Sequence, residues 1–369
     1  MSSFDPQKPY DQLPLLPPDT QKTESVAILK QEAKALAALG ELKGLAKIIP
    51  NQSILINAVI LQEAQDSSEI ENIITTRDEL YRAMSQSSRV SDAQTKEVMH
   101  YREALVEGSR RILERGILTI SDIIAIQEIL VQNDAGIRAQ PGTALVNDKT
   151  NQVIYTPPVG VEQINRLLGN LVEYLHNSED SLSKMAILHY QFESIHPFYD
   201  GNGRTGRIVN VLYLVMKGYL DIPILYLSSY IISNRSQYYS LLLSVTRDDN
   251  WSNWILFILK GIELTARETI EKISQIKSEI DRSIEFVREA APKIYSKELV
   301  ETLFVNPYCK VEFVVSSIGV ERKAASRYLH QLAEIGILEE QKIGKENIFI
   351  NKRLMEILKK SNINFNLTI

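Results

Sequence analysis

From Ser25 onward the apolar residues fall three and four apart, and this helical spacing governs nearly the whole chain. Val26, Leu29, Ala33, Leu36 and Leu39 form the first series, followed by Ile54, Ala58 and Leu61. No alternating run competes until Leu145. There LVNDKTNQVIYTPP predicts a β-hairpin, Leu145-Val146 against Val153-Ile154-Tyr155, with a polar turn between them and two prolines at the end. Helical spacing resumes at Val161 and continues almost unbroken. Residues 262–290 predict a long helix with Ile270, Ile273, Ile276, Ile280, Ile284 and Val287 on one side. That run could be a packed connector or a seam for a partner, and it suits a connector better because it is too short for a sustained coiled coil. The pattern as a whole predicts a mainly α protein with one small hairpin.

After Pro292 the register changes. VEFVVSSIGVERKAASRYLHQLAEIGIL predicts a helix, a turn at Ile318-Gly319-Val320, and a second helix closed by Gly336; LEEQKIGKENIFI then predicts a hairpin turned at Gly344. A helix-turn-helix followed by a two-stranded wing is the winged-helix pattern. Arg322, Lys323 and Arg327 fall on the second helix, where a DNA reader places its contacts. Residues 296–369 hold only 11 Lys and Arg against 9 Asp and Glu, so DNA is the weaker reading and protein docking the stronger.

The remaining composition excludes more than it assigns. With 369 residues and a net charge of −5, the chain has room for two domains but no overall electrostatic pull on nucleic acid or an anionic membrane. Its one cysteine, Cys309, rules out an intramolecular disulfide and a Cys-rich zinc site, and reads as a structural thiol. The Pro-rich, polar first 24 residues have neither a basic start nor an apolar run, and predict an extended surface arm rather than a signal peptide. The most apolar stretch, 208–227, is broken by Asn210, Lys217, Gly218, Asp221 and Pro223, so no membrane span is expected. The default expectation is a cytoplasmic protein.

Residues 196–207, HPFYDGNGRTGR, are denser in chemistry than anything else in the chain. Gly201-Asn202-Gly203-Arg204-Thr205-Gly206 formally matches the dinucleotide fingerprint GxGxxG, but the preceding Leu182, Met185, Ala186, His189, Phe192 and Ile195 mark a helix, where that fold needs a strand. A P-loop fails too, because no Gly-Lys-Ser/Thr follows. The physics of anion binding survives both exclusions. A glycine turn that opens a helix points unpaired N–H groups and the positive end of the helix dipole outward. Arg204 and Arg207 add forked donors suited to phosphate. Asp200 suits a Mg²⁺ shared with phosphates, and His196 can take a proton near pH 7. GNGR alone would read as a helix corner with solvated arginines. All twelve residues together would not.

These residues match, position for position, the signature HPFx(D/E)GNGRxxR of the Fic (Fido) proteins, and the chain resembles that family from about Leu13 to the winged helix. ILHYQFESIHPF before the signature, the hairpin ending Tyr155-Thr156-Pro157-Pro158, LSSYIISNRSQYYSLL and the Trp251/Trp254 helix follow in the family's order. The resemblance implies a protein adenylyltransferase that moves AMP from ATP to a Ser, Thr or Tyr hydroxyl, itself included, and releases pyrophosphate. It implies His196 as general base, Asp200 as Mg²⁺ ligand, and Gly201, Asn202 and Gly203 as the phosphate nest. Thr205 and Gly206 complete the nucleotide-binding run, with Arg204 on the triphosphate and Arg207 on the γ-phosphate. The hairpin at 145–158 would dock the target segment, and Tyr239, in preference to Tyr238, would close the adenine side.

Upstream, Ser67, Glu71 and Asn72 in DSSEIENI resemble the family's inhibitory motif (S/T)xxxE(G/N). The resemblance implies that Glu71 pairs with Arg207 and takes the place of the γ-phosphate. On residue types alone, Ser67 could equally be a helix N-cap with an acid in the first turn. The resulting division is an N-terminal helical region at 1–114 with an inhibitory helix near 66–74, a Fic domain at 115–262, a connecting helix at 263–293 and a winged helix at 294–369. A homodimer is suggested by resemblance alone. Two alternatives stand beside the transferase: removal of AMP from modified proteins at the same site, and a DNA-binding regulator whose core only senses nucleotide.

Overall fold

The computed structural model describes residues 4–85, 92–146, 150–177, 179–343 and 346–359. An arm at 4–19 leads into α1 (Thr20–Thr23) and α2 (Val26–Ala46). Then come α3 (Gln52–Leu55), a π-helical turn at Ile56–Ile60 and α4 (Leu61–Ile70). Three helices follow: α5 (Arg77–Ser85), α6 (Ala93–Arg115) and α7 (Ile120–Val131). The hairpin is β1 (Leu145–Val146) and β2 (Val153–Tyr155), antiparallel as the alternation predicts. Part of its turn, 147–149, lies outside the described residues. The centre of the chain is α8 (Val161–Asn177), α9 (Leu182–Ile195), α10 (Asn202–Met216), α11 (Leu227–Ser233), α12 (Arg235–Asp248) and α13 (Trp251–Ala290).

All 14 residues of α9 are buried, including the polar Ser183, Lys184, His189, Gln191, Glu193 and Ser194. It packs against α8, α10 and α13, and α10 in turn packs against α4, α6 and α7. The arm is more than a surface strap. Leu13 and Leu16 join the core, Leu16 N–H donates to Asn170 Oδ1 at 2.7 Å, and Gln191 Nε2 donates to Pro14 O at 2.8 Å.

Two expectations change. On α2 four of the five residues of the first series, Val26, Leu29, Ala33 and Leu36, face outward, with Val26 68% and Leu29 60% exposed, and only Leu39 is buried. The buried face is Ile28, Glu32, Ala35, Leu39 and Leu42, turned to α13 and α9. The helix is apolar on most sides, so spacing alone could not choose. Glu32 belongs inside because its carboxylate accepts from Leu182 N–H at 2.6 Å and Ser183 Oγ at 2.7 Å, at the start of α9. The connecting helix, in turn, is not separate: α13 runs 40 residues without a break from Trp251, so the expected boundary at 262/263 falls inside it. Gly261 does not interrupt it either. A Cβ there would stand 2.6 Å from Tyr230 Cδ1, so the glycine serves the close approach to α11. Ile273, Ile276, Ile280 and Val287 are buried along α13, with Ile270 and Ile284 partly so.

The C-terminal region comprises α14 (Lys297–Val305), β3 (Tyr308–Cys309), α15 (Val311–Ile318), α16 (Arg322–Glu334), β4 (Glu339–Ile343), β5 (Glu346–Ile350) and α17 (Lys352–Lys359). Gly319, at φ 69°, ends α15 and makes the turn into α16. The strands pair antiparallel in the order β3-β5-β4, from Glu339 opposite Ile350 to Ile343 opposite Glu346. Gly344 lies outside the described residues. Cys309 is fully buried, and burial pushes its thiol up to about 12, consistent with a structural role. This region rests on the N-terminal helices: Tyr308 stacks on Tyr81 at 6.0 Å, and Asn57 Nδ2 donates to Val305 O at 3.0 Å. Among the described residues no helix is long and apolar enough to cross a membrane.

Candidate functional site

The site is the turn between α9 and α10. His196 caps α9 in the left-handed region (φ 49°), with its N–H donating to Phe192 O at 3.0 Å. Gly201, also left-handed (φ 79°), opens α10, and a Cβ there would meet Val131 Cγ1 at 2.8 Å. Asn202 closes the turn on itself. Its Oδ1 accepts from Phe198 N–H and its Nδ2 donates to Phe198 O, both at 2.8 Å. The Asn202 side chain therefore shapes the nest from behind. Thr205 is fully buried and its N–H is spent on Gly201 O at 2.8 Å. Gly206 lets α10 approach α9, because a Cβ there would stand 2.5 Å from Glu193 Oε1.

Arg207 leaves the first turns of α10 and is almost wholly buried. Its Nε donates to Ser67 Oγ at 2.8 Å, and its Nη2 to Ser67 O at 3.0 Å and to Glu71 Oε1 at 2.7 Å. Burial alone would lower the guanidinium's pKa; the charge of Glu71 and the polar groups of Tyr238, Glu193 and Tyr239 outweigh it and raise it. At Glu71 burial pushes upward, and the Arg207 charge and hydrogen bond, with help from Arg204 and His196, hold the carboxyl below its ordinary value. Ser67 is no N-cap. It sits inside the last turns of α4, and Glu71 is that helix's C-terminal cap. Asn72 follows in the left-handed region and accepts from Arg235 Nη1 at 3.2 Å.

Arg204 is buried too, with Nη1 at 3.1 Å from Glu97 Oε2 and Nη2 at 3.6 Å from Asp200 Oδ1. Its Nε has no protein partner. Asp200 is 72% exposed at the lip of the turn and accepts from Gly201 N–H at 2.6 Å. One accessible carboxylate beside an anion cradle fits Mg²⁺, which takes one or two protein carboxylates and fills its shell with phosphate oxygens and water. Among the described residues no cluster of three or more His, Cys, Asp or Glu offers an all-protein metal site.

The His196 imidazole is half-buried, and its Nδ1 has no protein partner. Burial, then the Arg138 charge, hold it down to about 4 against the opposing pull of the Glu193 backbone, Glu71 and Asp200. At neutral pH the ring is therefore uncharged and able to accept a proton. Tyr238 is core: it is buried and its Oη lies 2.9 Å from His189 Nε2. Tyr239 is 40% exposed, with the Arg235 guanidinium over its ring at 5.9 Å.

The fold thus gathers His196, Asp200, Gly203, Arg204, Arg207 and Glu71 around one cradle, with Tyr239 and Asn72 near it. Sequence reasoning missed Glu97, Arg138 and Glu193. Glu97 is one charge among many on α6 and gives no signal. Arg138, in AGIRAQPG, carried only a flanking glycine and proline.

Residues 117–214 match the Fic/DOC family model, 29–110 the Fic/DOC family N-terminal model, and 280–354 the model described as protein adenylyltransferase SoFic-like, C-terminal domain. A probable protein adenylyltransferase of Aquifex aeolicus (strain VF5) is 37% identical over 101 residues, 26% of this chain and 28% of that protein. Protein adenylyltransferase fic-1 of Caenorhabditis briggsae is 33% identical over 89 residues, 23% of this chain and 16% of that protein. The chain thus matches less than a third of the length of either relative. Among solved structures, a Fic family protein from Desulfovibrio desulfuricans G20 superposes with a TM-score of 0.60 at 20% identity, over 91% of this chain and 98% of that one. Fic-1 from C. elegans gives 0.51 at 20% identity, over 67% and 74%. These two likenesses speak for the fold.

Proposed function

Because the chain belongs to the Fic/DOC family, carrying its N-terminal and central domains and a SoFic-like C-terminal domain, we propose that it is a protein adenylyltransferase held off by its own Glu71. The observation that carries this reading is the shared cradle. A neutral imidazole, two buried guanidinium groups and the N-terminus of α10 converge on one place, and the group found there is a carboxylate from α4.

The chemistry follows from these groups. The target hydroxyl oxygen attacks the α-phosphorus of ATP, its proton passes to His196, the bond to the pyrophosphate oxygen breaks, and AMP remains as a phosphodiester on the protein. Arg204 and Arg207 neutralise phosphate charge in a site shielded from water. Asp200 would hold Mg²⁺, which supplies further charge neutralisation on the phosphates. Tyr239, the exposed member of its pair, would line the adenine side. The β1–β2 hairpin would align the target segment by main-chain pairing.

The brake is electrostatic and steric at once. Glu71 uses the cation and the space that a γ-phosphate needs. For the C-terminal region protein docking fits better than DNA. Arg322 is engaged by Glu312, and the hairpin exposes Glu339, Glu340 and Glu346. The test of the activity is Glu71→Gly protein with ATP labelled in the α-phosphate, Mg²⁺ and lysate, read by mass for an AMP adduct on the protein itself or a lysate protein. No adduct on any protein would overturn the transferase.

A further inference from the structure

The last carbonyls of a helix have no partners within it, and those of α9 lie directly before the proposed base. Two side chains take up Ser194 O and the two carbonyls after it, one from the β1–β2 hairpin, which forms a flap over the site, and one from the segment just before it. Tyr155 Oη, at the end of β2, donates to Ser194 O at 2.8 Å. Arg138 does the rest: Nη2 donates to Ile195 O at 3.2 Å and Nε to His196 O at 2.7 Å. The same Nη2 donates to Pro158 O at 2.5 Å, just past the hairpin. Arg138 is 1% exposed, so a full charge has been buried to bridge three backbone carbonyls. Its backbone continues the link: Arg138 N–H donates to Pro197 O at 2.9 Å, and Ile137 forms a β-bridge with Phe198. Tyr199 Oη accepts from Ala139 N–H at 2.9 Å and Gln140 N–H at 3.2 Å.

We infer that Arg138 is a positioning residue: it locks the left-handed turn carrying His196 to the flap, so that a segment paired with the hairpin is registered against the base. The inference rests on the transferase reading above for its catalytic consequence, and on the hydrogen bonds alone for the linkage. Arg138 touches no reacting atom. A non-glycine residue at φ 49° is held there against a steric preference for other conformations. The guanidinium between His196 O and Pro158 O supplies the restraint, and a cation at the C-terminal end of α9 is favoured by the helix dipole. None of the hydrogen bonds of the Arg138 side chain reaches the nucleotide cradle at α10, which is shaped by Gly201, Asn202 and the two arginines.

The experiment compares Arg138→Met and Arg138→Lys in the Glu71→Gly background. Three quantities are measured: ATP affinity, kcat for AMP transfer, and amide exchange across Val153–Tyr155. Arg138→Met is expected to lower kcat about 100-fold, the scale of an ångström's misplacement of reacting groups. ATP affinity should change less than about threefold, and flap amides should exchange about tenfold faster, the loss of one charge-assisted bond. Arg138→Lys should recover part of both losses, since it keeps the charge without the fork. Unchanged flap exchange, or ATP affinity falling in step with kcat, would overturn the positioning role. Should the Arg138-intact parent transfer no AMP, the adenylyltransferase reading fails, while flap exchange and ATP affinity still decide the linkage.

Discussion

A side chain at Gly203 would stand 2.4 Å from Glu71 Oε1. The carboxylate at the end of α4 thus lies on the bare backbone of α10's first turn, where the proposed reaction would place a phosphate oxygen, and from there it reaches Arg207 at 2.7 Å. Occupant and cradle are two parts of one chain, 136 residues apart. That relationship makes the proposed brake testable apart from the reaction.

Glu71→Gly should raise AMP transfer by about 30- to 100-fold, the equivalent of a charge-assisted bond to a buried cation. Adding His196→Ala should return transfer to background while ATP still binds. Radiolabel incorporation and ATP titration check both. Equal rates in wild type and Glu71→Gly would remove the brake.

Ser67→Ala should release less. Arg207 keeps Glu71 but loses its Nε acceptor, so a several-fold rise in transfer is expected together with a lower melting temperature, because a buried donor is left unpaired. Thermal unfolding beside the transfer assay distinguishes this from Glu71→Gly. No change in either quantity would mean that Ser67 does not support the latch.

Glu97→Gln, in the Glu71→Gly background, should lower the KM for ATP by up to about fivefold, since the competing carboxylate on Arg204 is partly exposed and screened. A raised KM would show instead that Glu97 orients Arg204 for the nucleotide.

The acid limb of kcat/KM in the Glu71→Gly variant should lie near pH 4. Burial and Arg138 set His196 at about 4. Removing Glu71 takes away a charge that raises that value, so its loss does not by itself move the limb upward. Transfer should be flat from pH 8 to about 5 and fall as the ring gains a proton. An inflection near 6.5 would mean the ring is solvated when it works.

Glu193 gives a stability test. Burial, against the pull of Arg207 and with the push of Glu71, raises its carboxyl to about 7, and its Oε1 has no hydrogen-bond partner, with His189 Nδ1 4.0 Å away. The folded state therefore binds the proton more tightly than the unfolded one, and stability falls as pH rises from the ordinary carboxylate range through about 7. Glu193→Gln should remove that loss and raise the melting temperature, relative to wild type, by about 2 °C more at pH 8 than at pH 5. A constant difference across that range would argue against the buried proton.

The helices, the hairpin and the twelve-residue site could be read along the chain because each is local. Turn glycines, capping residues and apolar spacing act within a few residues, and HPFYDGNGRTGR carries its own backbone geometry. The outward face of α2, the unbroken run of α13 and the roles of Glu97 and Arg138 could not. Each depends on what arrives from elsewhere: Glu32 faces inward because α9 begins beside it, and Gly261 fits because α11 presses on it. The sequence alone determined which groups the twelve-residue run brings to the site and that a Ser-xxx-Glu segment lay far upstream. Only the tertiary structure decided that Glu71 reaches Arg207 and that Arg138 ties the flap to His196. A buried charge takes its partner from packing, which no local spacing encodes.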